Sequence, residues 1–531
     1  MAYLQINRFE GLNTNTDPRV IKPNKDTDGV AEATEMENVE ITKEGALTTS
    51  NGFELVSSIT GTGPVLNLHN FEKDDDERYL IITHGTNHYS ISPASSVWST
   101  TGLGSYGTQA NVVGATSYFG ASALNKVILG TDITANTIKK ADFVATYADV
   151  GGTPPDGYIM TVFMGRLFVA NGFTLYYTNV EDEDDWAGGG TIKFNDLITG
   201  MKVQGDRMIV FTRTYNQGVI FTYDDSFVLS TPLKEPYERQ YGCLAPKSIT
   251  NVGSDAYYWS DRGIVRLGSE NGYDDKGLPR PMSLSKNIEP SLEFTNKKYR
   301  ARANAAYWMA KQQYWLSVPY GADQFPSRTF VYNETWESWW LRTGFYPSAM
   351  AMFRNSDYEP ELYFGSYFGP ELYKFNDGYS YNGFGYTRKW SSKKFTMGTN
   401  IMFKEFRQID ITGSMDAATE IYVTIEVDSQ KKTYKIDNTF LIRDAYSNYI
   451  GDDWIGDAYL GGDAPSETRF KRFYAPLNIP RDLREGLEMT ITIQNDGEEQ
   501  PWKIDFIGIE YEMRAKKQVL RRNYVNQQVT I

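Results

Sequence analysis

The feature that most constrains this chain is a loose internal repeat. Seven stretches share one plan: an extended run, a turn containing Gly, Asp or Asn, and a second run ending on aromatic or apolar residues. They begin at Pro64, Ala123, Ile159, Ile198, Ser248, Asn304 and Ser348. Their starts lie about 40–60 residues apart, the length of a four-stranded blade. One such sheet cannot bury both of its faces alone, and stacking copies in a ring solves that problem. The repeat therefore predicts an all-β fold led by a β-propeller of about 6–8 blades, some degenerate. An array of β-sandwiches is the alternative, though it would show a less regular repeat length.

Composition agrees. The chain has 37 Tyr, 28 Phe, 11 Trp and 46 Gly, a mixture of strand formers and turn formers. One segment has helical spacing: Leu284, Ile288 and Leu292 fall on one face, and Pro290 interrupts it. It reads as a short excursion between blades. The spacing divides the chain into an N-terminal arm and hairpin (1–56), the propeller (57–385), a C-terminal antiparallel β-sandwich (386–513) and a basic C-terminal arm (514–531). The hairpin is ENVEITKEGALTTSNGFELV, where Val39 and Ile41 alternate with polar residues before a Lys43-Glu44-Gly45 turn.

Several classes of function are disfavoured. The single cysteine, Cys243, cannot form an internal disulfide framework or a Cys-based zinc site. A net charge of −14 argues against general nucleic-acid binding, which needs basic surface. The N-terminus lacks the pattern of a signal peptide, and no apolar run reaches the ~18 residues of a membrane span, so a protein made and kept in a reducing cytosol is expected. His84 and His88 are four apart, but Gly85 lies between them in a strand–turn context, which suits turn histidines better than metal ligands. No HExxH, GxSxG or P-loop occurs. A propeller glycosidase would carry repeated Ser-x-Asp-x-Gly-x-x-Trp turns, and WSDRGIV (259–265) does not match them. No catalytic residue, metal site or cofactor is expected.

What remains are candidate surfaces. Trp336, Trp339 and Trp340 end one repeat, where they either pack blades or anchor a neighbouring subunit. Arg514, Lys516, Lys517, Arg521 and Arg522 form a basic tail suited to an acidic partner, or simply a solvated terminus. Two acidic runs, Asp74-Asp75-Asp76-Glu77 and Glu181-Asp182-Glu183-Asp184-Asp185, lack the spacing of a calcium loop and read as solvated hairpin tips. The loop carrying Asp452, Asp453, Asp457 and Asp463 suits either a cation or flexible docking.

Three stretches carry a resemblance. FEGLNTNTDPRVI with ENVEITKEGALTTSNGFELV, then FMGRLFVANGFTLYYTNVEDEDDW, then ERQYGCLAPKSITNVGSDAYYWSDRGIVRLG follow one another in an order that resembles the tail nozzle (tail tubular protein B) and packaged-DNA stabilisation, or tail hub, proteins of short-tailed bacteriophages. The likeness covers about residues 8–375, with a C-terminal β-domain of the expected kind. It implies a structural protein of the virion tail, assembled in the bacterial cytoplasm as a homohexameric ring below the portal and adaptor. Its partners would be the adaptor or a portal-proximal protein, fibre, spike or plug proteins, and double-stranded DNA in transit. The chain departs in size from the largest nozzles, which leaves open whether it forms a whole tube or a hub. An acidic lumen would suit the passage of DNA, because a negative wall repels phosphates. A receptor-binding or baseplate-like phage protein and a propeller glycan hydrolase are the other readings.

Overall fold

A computed structural model of the chain describes residues 2–19, 30–73, 76–100, 103–119, 125–143, 147–221, 232–235, 238–273, 279–375, 378–399, 401–442 and 470–514. The chain forms two compact units, residues 51–384 and residues 1–50 with 385–531.

The first unit is a β-propeller. Six separate four-stranded antiparallel sheets are joined by a four-stranded meander over Asn304–Trp308, Gln313–Pro319, Pro326–Asn333 and Ser338–Arg342. Numbered along the chain, the innermost strands of blades 1 to 7 are Val65–Glu72, Val113–Tyr118, Ile159–Phe163, Ile198–Gln204, Thr250–Val252, Asn304–Trp308 and Pro347–Arg354. Each touches the next, and the last touches the first, so the ring is closed. The propeller expectation is met, and this count falls inside the 6–8 range.

The sequence explains the blades. Their second strands are continuous apolar runs, such as Leu80–Ile82, Val127–Leu129, Leu167–Val169 and Met208–Phe211, buried on both faces. This is what a strand sandwiched between neighbouring blades requires. Apolar contacts fill the seams. Phe163 and Phe168 of blade 3 cluster with Met201 and Met208 of blade 4, and Leu68 and Ile82 of blade 1 with Phe353 and Tyr363 of blade 7. Aromatic pairs bridge blades 5 and 6 (Tyr257–Tyr314, centroids 5.5 Å) and blades 6 and 7 (Trp315–Phe375, 4.8 Å). Near the axis the strands approach so closely that a Cβ on Gly114 would stand 1.8 Å from the carbonyl oxygen of Tyr158. The expected helical excursion is present as a short turn at Lys286–Ile288 followed by the helix Glu289–Glu293.

Blade 7 contains the closure. Its outermost strand is Phe53–Ser58, paired antiparallel with Glu371–Phe375, so a segment from the start of the unit completes the last sheet. Phe53 is 7% exposed and lies against Phe345, Phe364, Tyr373, Phe375 and Tyr381, with centroids 4.4–5.9 Å away.

The second unit holds two sheets. One orders Lys471–Asn478, Lys404–Met415, Trp502–Met513, Leu47–Thr49 and Val39–Ile41, with Ala2–Ile6 beside Trp502–Met513. The other places Val30–Glu37, Arg388–Ser392, Met489–Asn495, Ile421–Val427 and Gln430–Ile436 side by side. Burial alternates along the strands: Ile421, Val423, Ile425 and Val427 are buried while Tyr422 is exposed, and Met489, Ile491 and Ile493 follow the same period. Two sheets with one apolar face each, in one compact unit, make a sandwich. Among the described strand pairs of this unit, pairing is antiparallel except between Arg8–Leu12 and Val30–Glu37, which run parallel.

The boundaries of the units differ from the division read from sequence. Residues 1–50 do not stand apart as an arm; their strands extend both sheets of the sandwich, because strands with one apolar face need partners and the C-terminal strands offer free edges. The expected hairpin exists as Val39–Ile41 paired with Leu47–Thr49. Residues 53–56, placed with the arm, belong to the propeller strand Phe53–Ser58.

Candidate functional site

A concave site lies on the propeller axis, where the innermost strands begin. It encloses about 400 Å³ and is lined by residues from around the ring, among them Pro64, Gln109, Tyr158, Lys247, Arg302 and Ser348. Among the described residues its lining contains two cationic side chains and no carboxylate.

Lys247 sits in the turn Pro246–Ser248. That turn is fixed by Ser248, whose hydroxyl donates to the Ala245 carbonyl at 2.7 Å and accepts from the Trp259 amide at 3.1 Å, while Tyr314 donates its hydroxyl to the Ser248 carbonyl at 2.9 Å. The Lys247 ammonium donates to the Leu66 carbonyl at 2.5 Å. Enclosure by the ring pushes its pKa down to about 8, though the side chain keeps solvent access along the axis. Farther along the strands stand Lys202 of blade 4 and His69 of blade 1. Lys202 is half-buried, and desolvation lowers its pKa. His69 lies 3.0 Å from the Ser117 hydroxyl of blade 2. Burial first, and the Lys202 charge second, drive its pKa down to about 4, so the imidazole is neutral at pH 7.

The same end of the propeller carries an aromatic ridge. Phe325 packs on Tyr346, Tyr367 and Phe368 at 5.0–5.4 Å between centroids, with Phe368 56% and Tyr346 38% exposed. Arg302 donates to the Tyr367 hydroxyl at 3.1 Å and so joins ridge to mouth. Arg328 lies over Tyr320, 4.1 Å from its centroid, beside Phe294, which is 66% exposed.

The residues singled out from sequence fare variously. Trp339 and Trp340 are 2% and 0% exposed, and Trp339 donates its indole N–H to the Leu284 carbonyl at 2.8 Å, so both pack inside the chain and the neighbour-anchoring role does not hold for them. Trp336 is half-buried, with its amide bonded to the Asn333 side chain at 3.0 Å. Arg514 forms an ion pair with Glu405 of the sandwich. Lys516, Lys517, Arg521, Arg522, Asp74, Asp75, Asp452, Asp453, Asp457 and Asp463 lie outside the described residues. Asp76 has φ +64 at a turn, and Glu77 accepts from Lys73 at 2.6 Å and from the Tyr79 hydroxyl at 2.9 Å, as an exposed tip would.

The second acidic run departs from the solvated-tip reading. Glu181 and Asp182 are exposed, but Glu183 is 5% exposed and receives Lys126 and Lys140 of blade 2, the latter at 3.2 Å. Asp184 also receives Lys140 and accepts from the Gly151 amide at 2.5 Å; Asp185 accepts from the Asn179 side chain at 3.1 Å and the Gly188 amide at 2.7 Å. The run fastens blade 3 to blade 2.

His84 and His88 do not converge. His88 is buried against the Thr83 hydroxyl at 2.9 Å, and His84 faces the Thr62 carbonyl at 3.2 Å. Among the described residues no group of three or more His, Cys, Asp or Glu is placed to hold a metal. Burial pushes the Cys243 thiol up to about 12. Lys202, Lys247 and the ridge were not singled out from sequence. Only closure of the ring brings their strands to the axis.

No family model and no curated protein matches the chain. Among solved structures, the crystal structure of BBS1N in complex with ARL6DN, soaked with lead, is similar over 61% of this chain and 98% of that one, at 11% identity and a TM-score of 0.38. A likeness that weak adds nothing to what the strand pairing already establishes.

Proposed function

We propose that this chain is a structural protein that works by docking, and that it is a ring-forming tail component of a bacteriophage virion, a nozzle or hub through which the genome is retained and released. The observation that carries the docking role is the ridge of Phe325, Tyr346, Tyr367 and Phe368 with Arg302 at its edge. Exposed aromatics beside arginine are the composition of interface hot spots, and removing them from water supplies binding energy. The tail assignment rests on the ordered likeness of residues 8–375 to nozzle and hub proteins. The acidic pairs and histidines at the propeller seams have structural partners, which suits a building block more than a hydrolase.

Mass photometry and negative-stain imaging of the purified chain test this reading. It expects closed rings with an axial hole, and expects Phe368→Ser with Tyr346→Ser to shift the population toward single chains. Elongated trimers would favour a receptor-binding piece, and release of sugars from host polysaccharide a glycan hydrolase; either result overturns the nozzle assignment.

A further inference from the structure

The cavity on the propeller axis brings two cations together. Lys247 and Arg302 both line it, and among the described residues no carboxylate does. They come from turns that touch each other, Pro246–Ser248 and Lys297–Arg302. Their head groups are tied to blades 1 and 7. Lys247 donates to the Leu66 carbonyl of blade 1 at 2.5 Å, and Arg302 donates to the Tyr367 hydroxyl, at the end of a blade 7 strand, at 3.1 Å. Ser348 joins those two blades. Its hydroxyl lies 2.6 Å from the Val65 carbonyl oxygen and 3.0 Å from that of Ser366, so the backbones that carry Leu66 and Tyr367 are held side by side.

Both cations have donors to spare. An ammonium and a guanidinium carry several N–H groups each and no acceptor. Lys247 spends one on Leu66, and Arg302 uses Nη1 for the Gln324 carbonyl at 2.9 Å and for Tyr367. Among the described residues neither forms an ion pair. A group that meets both must offer negative charge and several acceptor oxygens. A phosphate monoester carries about −1.5 to −2 charge at pH 7 and three strong acceptor oxygens. The arginine fork matches phosphate oxygens in pairs, and lysine adds a point charge. A carboxylate, with fewer oxygens, is satisfied by the fork alone.

The rest of the wall selects what the phosphate is attached to. Pro64, Val112, Pro246 and Pro326 are apolar, and Tyr158 and Tyr367 are aromatic. A volume of about 400 Å³ with a few polar groups on an apolar wall has the size and lining of a small-molecule site. Single-stranded nucleic acid prefers a continuous basic groove with stacking platforms, whereas the cations here share one cavity.

We propose that the axial cavity binds a small phosphate monoester with an aromatic body, its phosphate held between Lys247 and Arg302. The proposal does not depend on the tail assignment or on ring formation, and Lys247 is not part of the aromatic ridge.

The test is isothermal titration calorimetry of the full chain with phenyl phosphate, and with benzyl alcohol, benzoate and inorganic phosphate as counterparts. Phenyl phosphate should bind at one site per chain, about tenfold or more tightly than each counterpart. Lys247→Met and Arg302→Met should each weaken it about tenfold or more, the loss of one charge-assisted hydrogen bond. Arg302→Lys, which keeps the charge and loses the fork, should fall between. Thermal melts separate loss of the site from loss of the fold: phenyl phosphate should raise the midpoint of the unaltered chain and leave that of a folded Lys247→Met chain in place. No binding of phenyl phosphate to the unaltered chain, equal binding of any counterpart, undiminished binding by both Met variants, or preferential binding of oligothymidylate would each overturn the proposal.

Discussion

The closing strand allows a quantitative test of how the propeller holds together. Phe53→Ala removes a ring that is 7% exposed and touches five other aromatic rings. A Phe side chain of ~150–250 Å² at ~25 cal/mol per Å² corresponds to about 4–6 kcal/mol of transfer energy, and measured Phe→Ala changes in cores fall at about 3–5 kcal/mol. Leu55, two residues on in the same strand, is 40% exposed, and Leu55→Ala should destabilise by under about 1 kcal/mol. The effect of Phe53→Ala should appear first where the strand is paired. Tyr373 and Phe375 stand opposite Leu55 and Phe53, so amides of Glu371–Phe375 should exchange about 100- to 1,000-fold faster, while those of Arg166–Asn171 in blade 3 change far less. Hydrogen exchange read by mass spectrometry measures both segments in one experiment. Equal behaviour of Phe53→Ala and Leu55→Ala would refute the idea that this ring locks the closure. Uniform loss of protection in every blade would refute local opening.

Three further outcomes follow from buried polar groups. Burial raises the Glu183 carboxyl, but the hydrogen bonds from Lys126 and Lys140 outweigh it and hold its pKa below the usual 4.5; its contribution to stability is therefore full above about pH 4.5 and lost as pH falls through the lowered value, and in Glu183→Gln that part of the acid sensitivity of the melting midpoint should disappear. Arg388, 0% exposed, donates to the Asn495 side chain at 2.6 Å and the Gly497 carbonyl at 2.7 Å and lies 3.9 Å over Tyr386, so Arg388→Leu should cost about 2–3 kcal/mol in urea unfolding, and Arg388→Lys should not restore it, because a single ammonium lacks the planar fork. Cys243, fully buried with its thiol pushed up to about 12, should resist iodoacetamide at pH 8 in the native chain and react once urea unfolds it.

The propeller was legible because its signal is local. A Gly turn followed by an apolar run recurs at Gly165, Gly205 and Gly253, each with positive φ at the hairpin joining the first and second strands of a blade. The sandwich was legible by alternation from residue 404 onward. What stayed hidden is pairing between distant parts of the chain. Ala2–Ile6 finds its partner at Ile507–Tyr511, and no local pattern in five residues names a strand that remote. The same holds for Phe53–Ser58 and Glu371–Phe375. The acidic run at 181–185 looked like a tip because the lysines that receive it, Lys126 and Lys140, belong to a different repeat. Trp339 and Trp340 could be read from sequence as core or interface alike, since burial within one chain and burial between chains select the same side chain.

The placement of charge separates two kinds of ion pair in this ring. Carboxylates meet lysines or arginines both between and within blades: Glu183 of blade 3 with Lys126 of blade 2, Asp255 with Arg266 inside blade 5 at 2.5 Å, and Glu235 with Arg207 inside blade 4 at 2.9 Å. Removing either partner there leaves the other buried and uncompensated, so these pairs are bound to the fold itself. These pairs therefore act at two levels: Glu183 holds blade 3 to blade 2, whereas Asp255 and Glu235 hold strands together inside blades 5 and 4.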